Sequence, residues 1–284
     1  MQAAETLIRT AVAGGVELCL ANPGTTEMPI VAALDRAPEM RAVLGLHETV
    51  LAGAADGYAR MAGTPALTLL HLGPGLGNAI ANLHNARRAR SPLVNLIGEH
   101  ATWHIAADAP LSCDIETLAA PVSGWVRRSH EADGMARDLA DALAAARANG
   151  GQVASLILPH DLQQAETEIS AIAPRETARP AVADEAVAAA AQALKAPATA
   201  LILGCDALLE PGLGHAARIA AATGCTLLAE RPSARVERGV GRPDMAIVPY
   251  LPEQAAALFA YLACPVHTVS AHAPDPITRY IGSD

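Results

Sequence analysis

Residues 44–100 read LGLHETVLAGAADGYARMAGTPALTLLHLGPGLGNAIANLHNARRARSPLVNLIGEH, and this stretch decides the fold. It contains two short apolar runs, residues 66–71 and 93–97, and each run follows a longer segment with helical periodicity. Strands that alternate with helices in this way form parallel sheets that carry helices on both faces. We therefore predict an α/β fold built on a doubly wound parallel sheet.

The same alternation extends to both sides of this stretch. Four further apolar runs predict strands at residues 16–20, 42–46, 122–126 and 153–158. Helical periodicity predicts helices at residues 3–13, 26–36, 48–61, 74–90 and 133–149. About six strands therefore belong to one N-terminal domain, which we place at residues 1–163.

A change of composition separates this domain from the rest of the chain. Prolines and charges replace the apolar periodicity at residues 164–184, which we interpret as an interdomain linker. A second, smaller α/β domain is predicted at residues 185–284, and we expect it to be incomplete because its last stretch shows neither periodicity. Its predicted helices are 185–195, 211–223 and 252–262, and its predicted strands and apolar runs are 199–203, 225–229, 246–248 and 266–269.

Composition and charge exclude several classes of function. The chain has 284 residues and a formal net charge of −9, which argues against nucleic acid as a partner because that binding relies on a cationic surface. No apolar stretch approaches the roughly 20 residues that cross a bilayer, so we expect no contact with a membrane. The five cysteines form no C-x-x-C pair and are odd in number, which favours a reducing, cytoplasmic setting.

Two ionisable residues stand where predicted strands end. Glu48 follows the second strand, and His71 ends the third, before a glycine-rich turn. Ligand sites of α/β proteins form at such strand ends. A glutamate in the first turn of a helix also compensates the helix dipole, so a structural role for Glu48 stays open. The small apolar residues that follow Glu48 favour a poorly solvated carboxylate.

Two turns complete the pattern. Asn22-Pro23-Gly24-Thr25-Thr26-Glu27 follows the first strand and reads either as a capped turn or as a site with free backbone N–H groups. Gly73-Pro74-Gly75-Leu76-Gly77-Asn78 has asparagine where the G-x-G-x-x-G fingerprint needs glycine, which disfavours a dinucleotide site. Its glycines still permit a ligand or another subunit to approach the backbone closely.

One family shares these motifs in this order. The succession of NPGTTE, HE, GAADGYAR, LLHLGPGLGN and SPLVNLIG resembles the pyrimidine-binding (Pyr) domain of thiamine-diphosphate enzymes. The similarity is to the group of acetolactate synthase large subunits and benzoylformate decarboxylase, and it covers residues 1–162. Residues 180–269 resemble the family's middle domain more loosely. The resemblance implies a thiamine-diphosphate-dependent enzyme that decarboxylates a small 2-oxo acid or joins it to a second carbonyl compound.

The resemblance also implies roles for individual residues. Glu48 falls on the catalytic glutamate that hydrogen-bonds the aminopyrimidine ring and promotes its imino tautomer. Pro23, Gly75 and Asn78 fall on cofactor-binding positions. His71 falls where benzoylformate-type decarboxylases have a catalytic histidine near the substrate, and Thr25 falls where they have a hydroxyl residue that contacts the substrate carboxylate. Both of these residues favour decarboxylation, although the glycine-rich motif is also typical of acetolactate synthases.

One part of the family's site has no counterpart here. The cofactor's diphosphate and Mg²⁺ are held by a further domain through a G-D-G motif, which these 284 residues do not contain. The resemblance therefore implies a separate diphosphate-binding domain or subunit, no metal ligand in this chain, and a homodimer or higher oligomer that associates through the Pyr domain. The alternative is a truncated or degenerate homologue that keeps the fold and self-association without activity. Acetolactate synthases also bind FAD in the middle domain, but we interpret Gly204-Cys205-Asp206 as a plain turn.

Overall fold

A computed structural model describes residues 1–175, 181–197, 199–230 and 245–248 of the chain. The chain divides into two compact units, Met1–Thr177 and Ala178–Asp284. The division lies within the segment 164–184 that the composition suggested as a linker. The first part of that segment packs against the N-terminus, because the N–H of Thr167 donates to the carbonyl oxygen of Met1 at 2.8 Å.

The first unit is a six-stranded sheet in the order β2-β1-β3-β4-β6-β5, and all of its strand pairs are parallel. Its strands are β1 (Leu18–Asn22), β2 (Arg41–Leu44), β3 (Ala66–Leu70), β4 (Leu93–Glu99), β5 (Trp125–Arg128) and β6 (Val153–Pro159). Its helices are α1 (Ala3–Ala13), α2 (Met28–Leu34), α3 (Glu48–Ala62), α4 (Leu72–Arg88), α5 (Ile115–Ala119), α6 (Met135–Arg147) and α7 (His160–Gln164). The predicted doubly wound α/β fold is confirmed.

Helices cover both faces of this sheet, which is why its central strands read as continuous apolar runs. Along β3, Leu67 and Leu69 pack with the buried residues of α1, α2 and α6, whereas Leu70 packs with those of α3, α4 and α5. Alanines such as Ala52 and Ala79 face the sheet and are fully buried. Small side chains allow the helices to lie close to the sheet in a chain with only 2% aromatic residues.

A line of polar side chains crosses the centre of the sheet. Thr68, Asn95 and Ser155 lie in register on β3, β4 and β6. The Thr68 hydroxyl donates to the Asn95 side chain at 2.7 Å, and the Asn95 amide donates to the Ser155 hydroxyl at 2.9 Å. Because all three residues are fully buried, a shift of one residue in register would leave these polar groups without partners.

The GPGLGN motif differs from its prediction as a turn. Helix α4 begins at Leu72, so the glycines of the motif lie in the first turns of the helix. Leu72 adopts a φ of 53°, the left-handed region that a bulky residue rarely occupies. This residue lets the chain reverse within one position after β3, so α4 starts before the helix predicted at 74–90, and the glycine-rich motif is helical and does not form a separate turn.

Other boundaries move for local reasons. The N-terminal residues of the helix predicted at 26–36 form a 3₁₀ turn, Thr25–Glu27, so α2 starts at Met28. A second 3₁₀ turn, Ala120–Val122, occupies the start of the strand predicted at 122–126, and β5 begins only at Trp125. Proline at position 121 lies at the start of this 3₁₀ turn, a position that its fixed φ favours. The short helices α5 and α7 were not predicted.

The second unit contains a three-stranded parallel sheet in the order β7-β8-β9. Its elements are α8 (Asp184–Ala193), β7 (Ala200–Leu203), α9 (Glu210–Thr223), β8 (Thr226–Glu230) and β9 (Met245–Val248). The predicted helix 252–262 and strand 266–269 lie outside the described residues. Within the described parts of the chain, no helix has the length and apolar character needed to cross a membrane.

Candidate active site

The carboxyl ends of β1, β3 and β4 meet at one edge of the sheet, because these strands are parallel neighbours. Asn22 is the last residue of β1, His71 directly follows β3, and Gly98 lies near the end of β4. This is the edge where the sequence placed its candidate residues. Two buried carboxylates, Glu48 and Glu27, organise the polar contacts there.

Glu48 is the first residue of α3 and is only 5% exposed. The preceding His47 caps the helix, since its Nδ1 accepts the N–H of Thr49 at 3.2 Å. Each carboxylate oxygen of Glu48 accepts one side-chain amide at 3.0 Å, Oε1 from Asn22 and Oε2 from Asn78. These donors come from two other elements, β1 and α4. The carboxylate is therefore oriented by the tertiary structure and not by its own helix alone.

Glycine at position 75 leaves space beside this carboxylate. A Cβ atom at Gly75 would lie 3.3 Å from Oε1 of Glu48, closer than most such contacts. Asn78 is exposed, whereas Gly75 is buried. The structure thus brings together Glu48, Gly75 and Asn78, three of the residues predicted at the cofactor, and half-buried Pro23 follows Asn22 at the same edge.

Glu27 is the second carboxylate, and it is fully buried. Its Oε2 accepts the N–H of Gly24 at 2.7 Å and lies 2.8 Å from Nδ1 of His71. Its Oε1 accepts the hydroxyl of Thr26, whose oxygen also lies 3.3 Å from the same histidine nitrogen. The sequence alone indicated no role for Glu27, so this pairing with His71 is a finding of the structure.

These contacts assign a tautomer to His71. The Glu27 carboxylate accepts hydrogen bonds from a backbone N–H and a hydroxyl, so it also acts as an acceptor toward His71. Nδ1 of His71 therefore carries the ring proton and donates a hydrogen bond to Glu27. The other ring nitrogen, Nε2, carries no proton in this neutral tautomer and can accept a hydrogen bond. The side chain of His71 is 24% exposed while that of Glu27 is 0% exposed, so the imidazole lies between the buried carboxylate and the solvent.

Two glycines provide the space for this pair. A Cβ atom at Gly24 would lie 2.3 Å from the ring of His71, and one at Gly98 would lie 1.5 Å from Oε1 of Glu27. Both distances are far inside van der Waals contact. The sequence contained these glycines, but only the packing of the loop after β1 against β4 reveals what they accommodate.

The two threonines of the NPGTTE motif differ in their surroundings. Thr25 is exposed, while the hydroxyl of Thr26 is the one beside Glu27 and His71. The backbone carbonyl of Thr26 in turn lies 3.0 Å from Nδ1 of His160, at the start of α7. The contacts of Thr26 with His71 and His160 were not predicted from the sequence, because nothing in the local pattern marks a contact across this distance in the chain.

The fold and the two carboxylates define the class of protein. It is an α/β protein whose polar side chains gather at the carboxyl edge of a parallel sheet, the usual place for a ligand site. Residues 1–118 match the family model described as thiamine pyrophosphate enzyme, N-terminal TPP binding domain. The resemblance to thiamine pyrophosphate enzymes that the motifs predicted is thereby confirmed over these residues.

Several relatives agree with this assignment. The chain is 49% identical over 280 residues to a Mycobacterium tuberculosis protein named as an acetolactate synthase large subunit, IlvX, a match that covers 99% of this chain and 53% of that protein. It is 33% identical over 148 residues to benzoylformate decarboxylase of Pseudomonas aeruginosa, which covers 52% of this chain and 28% of the relative. The chain therefore spans about half of the first relative's length, and less of the second.

Solved structures share the fold. One is a Mycobacterium smegmatis protein described as a thiamin diphosphate-dependent enzyme, with a TM-score of 0.75 and 25% sequence identity. The match covers 81% of this chain and 44% of that protein's chain. The thiamine diphosphate-dependent 4-hydroxybenzoylformate decarboxylase of Rhodococcus jostii has a TM-score of 0.76 at 24% identity, covering 87% of this chain and 48% of its own.

Proposed function

We propose that the cluster of Asn22, Glu48, Gly75 and Asn78 binds the aminopyrimidine half of thiamine diphosphate, and that the protein takes part in decarboxylation or carboligation of a small 2-oxo acid. The observation that supports this most is the Glu48 carboxylate, which is buried at the sheet edge and held through both oxygens by amides from other elements. A helix-dipole role alone would require neither contact.

The residues present fit the proposed cofactor. The Glu48 carboxylate can accept a hydrogen bond from a protonated nitrogen of the aminopyrimidine ring. The lack of a side chain at Gly75 leaves room beside Oε1 of Glu48. Asn78 is exposed and can yield its hydrogen bond to an arriving ligand, while Asn22 keeps the carboxylate in place. When bound, thiamine diphosphate supplies the nucleophilic carbon and takes up the electrons released as carbon dioxide leaves.

His71 is the proposed proton carrier at the substrate. Its Nδ1 is occupied by Glu27, so Nε2 is the nitrogen available to give or take a proton. Glu27 fixes the ring orientation and stabilises the ring when it is protonated, in the way that a buried carboxylate supports a general-base histidine. This arrangement favours the decarboxylase-like reading of the site. Thr25, exposed at the same edge, remains the proposed contact for the substrate carboxylate.

We further propose that the remaining parts of the site come from outside residues 1–163. In this proposal Mg²⁺ and the diphosphate are held by another domain or subunit, the region 185–284 is a middle domain, and the protein works in the cytoplasm. Two copies associate through α3 and α4, and on α3 the residues Val50, Ala54, Gly57 and Met61 form an exposed apolar stripe at helical spacing. Sedimentation at micromolar concentration tests this association, and a monodisperse monomer would contradict it.

Titration calorimetry tests the cofactor assignment without a complete enzyme. Thiamine carries the aminopyrimidine ring but no diphosphate, so its binding reports on the Glu48 cluster alone. We expect Glu48→Gln to weaken thiamine binding about 10- to 100-fold, because a hydrogen bond to a charged group is worth roughly 1.5–3 kcal/mol. Glu131→Gln, a change at an exposed residue outside the cluster, should leave the affinity unchanged.

The outcome distinguishes the proposal from its main alternative. Equal affinity of wild type and Glu48→Gln would rule out the assignment of Glu48, and no thiamine binding at all would favour an inactive homologue that keeps only the fold. With a diphosphate-binding domain supplied separately, 2-oxo acid decarboxylation should appear in the wild type and fall by about 10²- to 10⁴-fold in His71→Ala.

A further inference from the structure

Two neighbouring residues at the end of β6 each reach a different loop of the site edge. Nδ1 of His160 lies 3.0 Å from the carbonyl oxygen of Thr26, in the loop after β1. Asp161 accepts the backbone N–H of Thr102 at 3.0 Å and also the Thr102 hydroxyl, in the loop after β4. The corner formed by residues 160–161 therefore links two loops that are distant in the sequence.

The contact of His160 continues to His71 through a single residue. A carbonyl oxygen can only accept, so Nδ1 of His160 is the donor. The residue that accepts this bond, Thr26, donates its hydroxyl to Glu27 and places that oxygen 3.3 Å from Nδ1 of His71. His160 thus holds the backbone of the residue whose side chain touches both members of the Glu27–His71 pair.

Asp161 fixes the same corner from the other side. Its burial acts to raise its pKa, but the hydrogen bonds from the Thr102 side chain and backbone, with those from the backbone N–H groups of Asp161 and Leu162, outweigh burial and lower the pKa. A lowered pKa means that these bonds favour the ionised carboxylate. The loop after β4 and the start of α7 are therefore held together at neutral pH.

We propose that the His160–Asp161 corner is a positioning element of the active site, which holds Thr26 and thereby keeps Glu27 hydrogen-bonded to His71. His160 is a positioning residue, since it acts on His71 through Thr26. The consequence for turnover rests on the proposed function, because it matters only if His71 carries a proton. The consequence for the state of the His71 ring does not rest on it.

The ring state of His71 is the direct test. Long-range ¹H–¹⁵N NMR distinguishes the Nδ1–H from the Nε2–H tautomer, and His71→Gln assigns the signal among the ten histidines. We expect His160→Ala to raise the Nε2–H fraction of His71 about fivefold, the change that corresponds to one hydrogen bond of about 1 kcal/mol. His160→Asn keeps an N–H donor near the position of Nδ1 and should stay within about twofold of wild type.

Asp161→Asn has a matched control in the same unit. Asp114 accepts the backbone N–H of Thr117 at 3.0 Å and its hydroxyl at 2.7 Å, the same pair of bonds at the start of a different helix, α5. Asp161→Asn should shift the His71 tautomer ratio in the same direction as His160→Ala, and Asp114→Asn should not shift it. An equal response of the two aspartate variants would indicate a general loss of stability and would overturn the proposal.

Two further outcomes complete the test. If folded His160→Ala keeps the wild-type tautomer ratio, the corner does not position His71 and the proposal is wrong. If His160→Ala does not fold, His160→Gln replaces it, because the longer glutamine side chain moves the donor away from Thr26. A wild-type His71 tautomer ratio in His160→Gln would also overturn the proposal. In the enzyme complemented with a diphosphate-binding domain, His160→Ala should lower kcat about tenfold at unchanged KM. A complemented wild type without activity would refute the proposed function. The NMR measurement of the His71 tautomer would still decide whether the corner positions His71.

Discussion

Glu48 and Glu27 lie at the same edge of the same sheet, yet their carboxylates have different partners. Glu48 accepts two side-chain amides, neither of which titrates, and its neighbour Asn78 is exposed. Glu27 accepts a backbone N–H, a hydroxyl and an imidazole, and it is fully buried. In the proposed function, Glu48 exchanges a partner for a ligand, whereas Glu27 holds a ring that exchanges protons.

The difference indicates how one sheet edge supports two chemical roles. An amide donor can be replaced by another donor without any change of charge at the site. An imidazole held through one nitrogen can change its charge while its position stays fixed. The two carboxylates lie on different elements, which keeps these proposed roles apart, because Glu48 depends on α3 and α4 while Glu27 depends on β4 and the loop after β1.

The largest expected difference between the two carboxylates lies in the space around them. Gly98→Ala places a methyl group 1.5 Å from Oε1 of Glu27 and should lower the free energy of unfolding by about 3 kcal/mol, at the upper end of overpacking costs. Gly75→Ala meets Oε1 of Glu48 only at 3.3 Å and should change stability by less than about 1 kcal/mol, since alanine also favours the helix. Denaturant unfolding measures both, and equal losses would contradict the comparison.

Removal of each carboxylate should give a smaller difference. Glu27→Ala leaves the Gly24 N–H, the Thr26 hydroxyl and the His71 ring without their buried acceptor, and we expect a loss of about 2–3 kcal/mol. Glu48→Ala leaves Asn22 and Asn78, which water can reach, and should cost about 1 kcal/mol. Thermal unfolding of the two variants under identical conditions makes this comparison, and a greater loss for Glu48→Ala would reverse our ranking.

The smallest expected effect is the pH dependence of the Asp161 contact with Thr102. Asp161 serves as a reference for Glu27 and Glu48, because its partners are only a hydroxyl and backbone N–H groups. Its folded-state pKa lies below the ordinary value of 3.8, so its bonds to Thr102 stabilise the fold above that value and are lost as the pH falls through the lowered pKa. Trp103 follows Thr102 and is 75% exposed, so in a Trp125→Phe background its fluorescence should change only below pH 3.8. The same transition in Asp161→Asn would show that another group causes it.

Much of this edge could be predicted because it depends on local patterns. The predicted helix at residues 3–13 has the bounds of α1, and the predicted start of a helix at Glu48 is the start of α3. Both follow from periodicity and from an acidic residue in a first turn. The family motifs also brought Glu48, Gly75 and Asn78 to one place, since motif spacing reflects strand and helix lengths.

The Glu27–His71 pair could not be predicted in this way. Glu27 stands three residues after Gly24 and one before the start of α2, where an acidic residue normally compensates a helix dipole and faces water. Its burial depends on Gly98 of β4, which is far away in the sequence. The start of the helix predicted at 74–90 was misplaced for a related reason: the left-handed conformation of Leu72 allows α4 to start at once, and no residue preference indicates such a conformation for leucine.

The sequence by itself determined the alternation of strands and helices, the parallel sheet, and the presence of ionisable groups at its carboxyl edge. These follow from hydrophobic periods of two and 3.6 residues and from the residues that end each run. Only the tertiary structure decided which of those groups are partners. Hydrogen bonds between Glu27 and His71, Thr26 and His160, and Asp161 and Thr102 depend on the order of the strands and on the space that glycines leave, and neither is encoded within any one segment.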